Sequence, residues 1–132
     1  MTPYLTFNGN CREAMQFYAD RLGAAITFMA RMGDAPIADQ IPATQHDHIM
    51  HACISLNGLT LMASDAMHGF PFEGFKGFAL SLNPTDPAEA ERLFAALADG
   101  GAVTMPLQQT FWARLFGTVT DRFGVPWMVN CE

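Results

Sequence analysis

Asn10-Cys11-Arg12-Glu13-Ala14-Met15-Gln16-Phe17-Tyr18-Ala19-Asp20-Arg21-Leu22-Gly23 carries a helix with both of its ends marked. Asn10 predicts an N-cap, because its side chain can accept the free N–H groups of a first turn. Glu13, three residues on, completes a capping-box-like pattern. Ala14, Phe17, Tyr18 and Leu22 recur at helical spacing, and Gly23 predicts the stop. The same plan returns past the middle of the chain. Asp86-Pro87-Ala88-Glu89 opens a second helix, with proline at the first position, where its fixed φ already suits the helix. Ala90, Leu93, Phe94 and Leu97 form its apolar stripe, and Gly100-Gly101 marks its end. Each helix follows a strand-like run, Tyr4-Leu5-Thr6-Phe7 or Phe78-Ala79-Leu80-Ser81-Leu82. Each leads to another, Ile26-Thr27-Phe28 or Val103-Thr104-Met105. Two copies of strand–helix–strand predict a pseudo-symmetric body, with function in a cleft between or within the copies.

Outward from these two helices, a strand is expected from Ala25 to Met32. Gly33 to Asp47 holds Gly33, Pro36 and Pro42 with little periodicity and predicts a long, mobile loop. A strand from His51 to Asn57 and another from Leu59 to Ser64 are joined by Asn57-Gly58, a strong hairpin signal. Asp65 to Lys76, rich in Gly, Pro and Phe, links the halves. In the second half, strands are expected from Ala102 to Leu107, Trp112 to Thr120 and Pro126 to Cys131, with a turn at Asp121-Arg122-Phe123-Gly124. The fold class is α+β: one domain of two βαβββ modules, about 1–68 and 74–132, with mixed sheets.

The composition narrows the function classes. The chain has 132 residues, enough for one compact domain with its own core. Half of the residues are hydrophobic and 15% are charged, with eleven Phe and nine Met. Met fills irregular gaps and adapts to ligands, and an apolar excess also suits a dimer interface. Net charge is −6 with seven Lys and Arg in all, and no basic patch is legible, so nucleic acid is not an expected partner. No run approaches the roughly 20 apolar residues that cross a bilayer, and no signal peptide is apparent. Cys11, Cys53 and Cys131 are odd in number and far apart, which predicts reduced thiols in a cytoplasmic protein.

The duplicated βαβββ plan, the N-G-N-C-R-E-A-M-Q-F-Y-A-D-R-L-G-A start and the D-R-F-G-V-P-W-M-V-N end resemble the vicinal oxygen chelate superfamily. That group comprises glyoxalase I, bleomycin-resistance proteins and extradiol dioxygenases. More narrowly, S-D-A-M at Ser64 to Met67, Q-T-F-W-A at Gln109 to Ala113 and G-x-V-T-D-R-F-G-V-P-W-M at Gly117 to Met128 are similar to the PhnB-like branch. The resemblance implies a cupped sheet built from both modules. It also implies a metal set in some members, with one ligand on the first and last strand of each module. Alignment on the shared landmarks puts Pro3, Met62, Gly77 and Met128 there, to within one residue. None is a usual ligand for a hard or borderline divalent ion, which takes imidazole or carboxylate. Two Met suit Cu(I) or, more simply, an apolar lining. The branch often carries the label 3-demethylubiquinone 3-methyltransferase. The sequence has no Gly-rich nucleotide loop after a strand to support that chemistry.

His51 is the leading candidate for acid–base chemistry. With Cys53 and Ser55 it alternates against Ala52, Ile54 and Leu56, so period 2 turns His51 away from the helix-covered face. A hydrogen-bonded structural histidine fits the same pattern. Cys53, two residues on, is either a nucleophile activated by His51 or a small core residue. His46-Asp47-His48 forms a chelating pair or a solvated loop, and with His51 would make a three-histidine cluster. Gln109, Phe111 and Trp112 suit a planar or apolar ligand, and equally a core or a subunit contact. Met62 and Met128 complete the expected ligand-binding set. Of Trp127 and Met128, neighbours on one strand, only one can face a ligand. Asp65 and Asp121 fit side-chain capping. Arg114 fits a carboxylate anchor or a surface role.

Two function classes follow: a protein that binds a small apolar or aromatic metabolite without the usual metal set, or an enzyme of lyase, isomerase or dioxygenase type using His51 as acid, base or ligand. A third and blander reading fills the cup with the chain's own Met and Phe. No cofactor is expected in the first, a divalent metal through an atypical site belongs to the second, and a homodimer is expected in each.

Overall fold

The computed structural model describes residues 1–132. It divides into two compact units, Met1–Gly74 and Phe75–Glu132. The first contains β1 (Tyr4–Phe7), α1 (Cys11–Leu22), β2 (Ala25–Arg31), β3 (Ile49–Leu56) and β4 (Leu59–Asp65). The second repeats the order with β5 (Leu80–Leu82), α2 (Pro87–Ala98), β6 (Ala102–Gln108), β7 (Leu115–Thr120) and β8 (Pro126–Cys131). Each unit holds one four-stranded mixed sheet, in the order β1-β4-β3-β2 or β5-β8-β7-β6. The first and last strands of a unit run parallel, and the other pairs are antiparallel.

The helix stripes are the cores. Ala14, Phe17, Tyr18 and Leu22 are buried where α1 packs on β2, β3 and β4. Ala90, Leu93, Phe94 and Leu97 are buried where α2 packs on β6, β7 and β8. Ala52 and Ile54 of β3 lie under α1, so His51, Cys53 and Ser55 occupy the opposite, open face. Gly23 ends α1 at φ 81°, a left-handed conformation that costs a glycine little. Asn57 and Gly58 take positive φ and close a two-residue hairpin between Leu56 and Leu59.

Four local expectations change. Asn10 makes no side-chain capping bond to α1. The first amide of α1, Cys11 N, donates instead to Asp65, a residue far along the chain that tertiary packing brings to the helix end. Asp86 does cap α2, accepting from Ala88 N at 3.1 Å. The 33–47 segment is not a structureless loop. It winds through three short 3-10 turns, with Met32 and Ile41 buried beneath it. β7 begins at Leu115, so Gln109 to Arg114 form a connection. β5 begins at Leu80, two residues later than the expected start at Phe78. No helix is long and apolar enough to cross a membrane.

Candidate functional site

Strand register aligns one row of side chains on the open face of each sheet. In the first unit Tyr4 pairs with Met62, Met62 with Cys53, and Cys53 with Phe28. In the second, Ser81 pairs with Met128, Met128 with Thr118, and Thr118 with Met105. Met62 and Met128 therefore hold equivalent places in their units, as the duplication implied. The first place falls at Tyr4, within one residue of Pro3, whereas Gly77 is four residues from the observed place. The Pro3 carbonyl accepts from Met62 N at 3.1 Å, but the residue level with Met62 is Tyr4. Ser81, not Gly77, is level with Met128, because Phe75 to Ala79 precede the strand instead of belonging to it. The corrected set of Tyr4, Met62, Ser81 and Met128 still lacks imidazole and carboxylate.

His51 is held between two aromatic rings. Its Nδ1 lies 3.0 Å from Tyr4 Oη, and the two rings stack at 5.6 Å with 22° between their planes. Phe28 flanks the imidazole at 5.7 Å. Tyr4 reaches this contact across β4, which separates β1 from β3 in the sheet. The bond that fixes His51 therefore runs to Tyr4, and Cys53 is a half-exposed neighbour in the next row. Of the three thiols, Cys11 is buried and pushed up to about 12, first by desolvation and then by Asp65 and Glu13. It is inert as a nucleophile at neutral pH.

His46 serves the loop with its side chain and His48 with its backbone carbonyl. Only a protonated Nε2 satisfies both contacts of His46, so it donates to the carbonyls of Ala38 (3.0 Å) and Ile41 (2.9 Å). Met32 N donates to His48 O at 2.8 Å and Gly33 N to His46 O at 2.9 Å, closing the segment on itself. Asp47 accepts from Arg31 at 2.7 Å. Arg31 also grips Asp34, holding that carboxyl below the usual carboxylate range chiefly by their hydrogen bonds. His46, His48 and His51 do not converge, and no three His, Cys, Asp or Glu side chains gather as a metal-holding group.

Asp65 and Asp121 are the two buried charged or polar side chains, and both gather donors. Asp65 Oδ1 accepts from Gly9 N (2.8 Å) and Cys11 N (3.0 Å), and Oδ2 accepts from Ile49 N (2.7 Å). One carboxylate thus ties the end of β4 to the start of β3 and of α1, where the helix dipole favours negative charge. Asp121 accepts from Phe123 N, Val125 N and Trp127 Nε1 at 2.9–3.0 Å. These are the capping roles their turn positions suggested.

An open cavity of about 460 Å³ lies beside the His51 row, inside the first unit. Thr6 and Ser64 line it from the sheet, and Met67, Phe70, Phe72 and Glu73 line it from the segment after β4. Thr6 and Ser64 pair across β1 and β4. Ser64 also sits one residue beyond the Ala52–Ala63 pair, as His51 does on the facing strand. The sequence presented 65–76 as a connector, and Tyr4, Phe28 and these lining residues were not foreseen. The alternation of β1 does place Tyr4 and Thr6 on one face, but nothing local shows which strands lie beside it.

In the second unit, Trp112 Nε1 donates to Asn130 Oδ1 at 3.2 Å and its ring meets Phe116 at 5.2 Å. Phe111 is 97% exposed, and Gln109 is exposed as well. Trp127 is buried and Met128 is on the open face. Arg114 donates to the carbonyls of Glu132 (2.8 Å) and Thr85 (2.6 Å), a structural use of its guanidinium.

The profile of the family described as 3-demethylubiquinone-9 3-methyltransferase matches residues 1–130. Protein YjdN of Escherichia coli K12 is 38% identical, over 98% of this chain and 93% of its own length. The crystal structure of protein PA1353 from Pseudomonas aeruginosa is 55% identical, with a TM-score of 0.92 over 100% of this chain and 96% of that one. A PhnB protein from Bacillus cereus, described by the same methyltransferase name, is 27% identical with a TM-score of 0.79, over 100% and 98% of the two chains. The fold extends further. A glyoxylase/bleomycin resistance protein/dioxygenase domain from Frankia sp. EAN1pec has a TM-score of 0.70 at 18% identity, over 98% and 93% of the chains.

Proposed function

This chain belongs to the family described as 3-demethylubiquinone-9 3-methyltransferase, the PhnB-like branch of the glyoxalase/bleomycin-resistance/dioxygenase superfamily, and on that premise we propose that it binds a small apolar or aromatic metabolite. The binding place is the open face of the first sheet. The observation that carries the proposal is the cavity of about 460 Å³, within the size range of small-molecule sites, with two phenylalanines and a methionine set against two hydroxyls. Apolar walls with few polar groups favour a ligand of the same character. Methyl transfer has no comparable support. β1 leads into Asn8-Gly9-Asn10 and β5 into Asn83-Pro84-Thr85-Asp86, and neither is a glycine-rich loop of the kind that cradles a nucleotide.

The test is ligand-observed NMR with a panel of small aromatic compounds on the wild-type protein and on Ser64→Phe, which fills the cavity from the sheet side. Binding by the wild type and at least tenfold weaker binding by the variant are expected. Equal affinity in the two would refute the placement.

One observation favours the second reading, in which His51 acts as acid, base or metal ligand: the Tyr4 contact gives its imidazole a defined orientation. Elemental analysis of the purified protein with and without His51→Ala separates the readings. Stoichiometric metal lost on substitution would support the enzyme. Association into a homodimer is part of the proposal in either case. The exposed aromatics Phe111 and Trp112 are the side chains to watch for protection in sedimentation and labelling experiments.

A further inference from the structure

His51 meets two neighbours with unequal hydrogen-bonding power. A neutral imidazole has one N–H donor and one bare nitrogen acceptor, and the partner of one nitrogen decides which is which. Tyr4 Oη and His51 Nδ1 share a single proton position at 3.0 Å. A phenol O–H is the stronger acid of the two possible donors, and a bare imidazole nitrogen is the stronger base of the two possible acceptors. The bond therefore runs from Tyr4 O–H to His51 Nδ1. The proton that remains on the ring is then on Nε2, which has no partner within the chain. Tyr4 stacks on the ring and Phe28 flanks it, so the imidazole keeps this orientation.

We infer that Tyr4 is a positioning residue that sets His51 as an Nε2–H donor, so that the ligand presents an acceptor oxygen to this nitrogen. The inference rests on the binding reading above and adds the ligand's polar group to it. A neutral carbonyl, in a ketone, aldehyde or amide, fits better than a carboxylate. Glu73 lines the neighbouring cavity, and the chain carries a net charge of −6, so an anion meets repulsion that a carbonyl does not. The apolar remainder of the molecule lies over Thr6 and Ser64 against Phe70 and Phe72. His51 in this role is a donor in the resting state and has no proton vacancy at the ligand. That distinguishes it from a general base.

Two measurements on the whole chain test this. Long-range proton–nitrogen NMR at a pH where His51 is neutral reads the tautomer directly. The Nε2–H form is expected in the wild type, and a mixed population in Tyr4→Phe, which keeps the ring but removes the hydroxyl. A wild-type Nδ1–H form overturns the inference, as does a tautomer unchanged by Tyr4→Phe. Titration with acetophenone, ethylbenzene and benzoate then reads the ligand class. Acetophenone is expected to bind roughly fivefold more tightly than ethylbenzene, the worth of one neutral hydrogen bond, and more tightly than benzoate. Equal binding of acetophenone and ethylbenzene leaves the cavity reading standing and overturns the carbonyl assignment. Tighter binding of benzoate overturns the preference for a neutral ligand. Silence from all three removes the cavity reading and this inference with it.

Discussion

Removing Asp65 should break the first unit more severely than removing any surface charge. The Asp65→Ala substitution leaves three backbone donors without their acceptor: Gly9 N, Cys11 N and Ile49 N, now 2.7–3.0 Å from carboxylate oxygen. Three hydrogen bonds at about 1 kcal/mol net give a loss of about 3 kcal/mol. The bonds to Cys11 and Ile49 are buried, and a stranded buried donor costs about 1–3 kcal/mol, which raises the total to about 3–7 kcal/mol. Loss of negative charge at the start of α1 adds about 0.3–1 kcal/mol. A domain of this kind holds about 5–15 kcal/mol in all, so the variant approaches its folding limit. Asp65→Asn is the milder companion. It keeps the oxygen that serves Gly9 and Cys11 but turns an amide N–H2 toward Ile49 N–H, for a loss of about 1–3 kcal/mol. Urea unfolding followed by far-UV circular dichroism measures both. Trp112 and Trp127 both belong to the second unit, so tryptophan fluorescence follows that unit alone. Hydrogen exchange at the Cys11 and Ile49 amides should accelerate in step. Asp47→Ala, which removes an exposed partner of Arg31, is the control and should cost no more than about 0.5 kcal/mol. A loss under about 1 kcal/mol for Asp65→Ala, or parity with the control, would refute the account of Asp65 as the anchor of three elements.

Gly117→Ala should destabilise the second unit by about 1–3 kcal/mol in thermal unfolding, because an added Cβ would sit 2.6 Å from Phe94 Cε1 and 2.9 Å from Leu107 Cα. Iodoacetamide at pH 8, read by mass spectrometry, should label Cys53 in the native protein and spare Cys11, whose thiolate fraction there is about 1 in 10,000. The folded-state pKa of Cys11 is raised from 9.0 to about 12, so between those values the unfolded chain releases a proton that the native chain keeps. Stability should then fall with rising pH by up to about 1.4 kcal/mol per pH unit, and Cys11→Ala should flatten that slope in urea titrations.

The parts legible in the sequence are those that local chemistry decides. The apolar stripes of both helices, the Gly23 stop, the Asp86-Pro87 start and the Asn57-Gly58 turn each depend on residues within a few positions of one another, and each is where the pattern placed it. The alternation of β3 likewise separated His51 and Cys53 from the helix-covered face. Where a distant group competes, the local reading gives way. Asn10 has the right chemistry for a cap, but the carboxylate of Asp65 is charged and already aimed at the helix start, and the stronger acceptor takes the Cys11 amide. The 33–47 segment lacks periodicity because its order comes from buried Met32 and Ile41 and from His46 bonding backbone carbonyls, neither of which produces a repeat.

The sequence by itself therefore determined the duplicated βαβββ plan, the family resemblance and the face on which His51 stands. Side-chain periodicity and turn chemistry act over one or two turns of chain, and both are written in consecutive residues. Only the tertiary structure decided what His51 touches. β1 lies parallel to β4 through a crossover of most of the first unit, and that pairing brings Tyr4 within 3.0 Å of an imidazole 47 residues away. The same crossover sets Thr6 beside Ser64 and opens the cavity next to them. Register between distant strands depends on how whole faces pack, so no short stretch of residues could announce it.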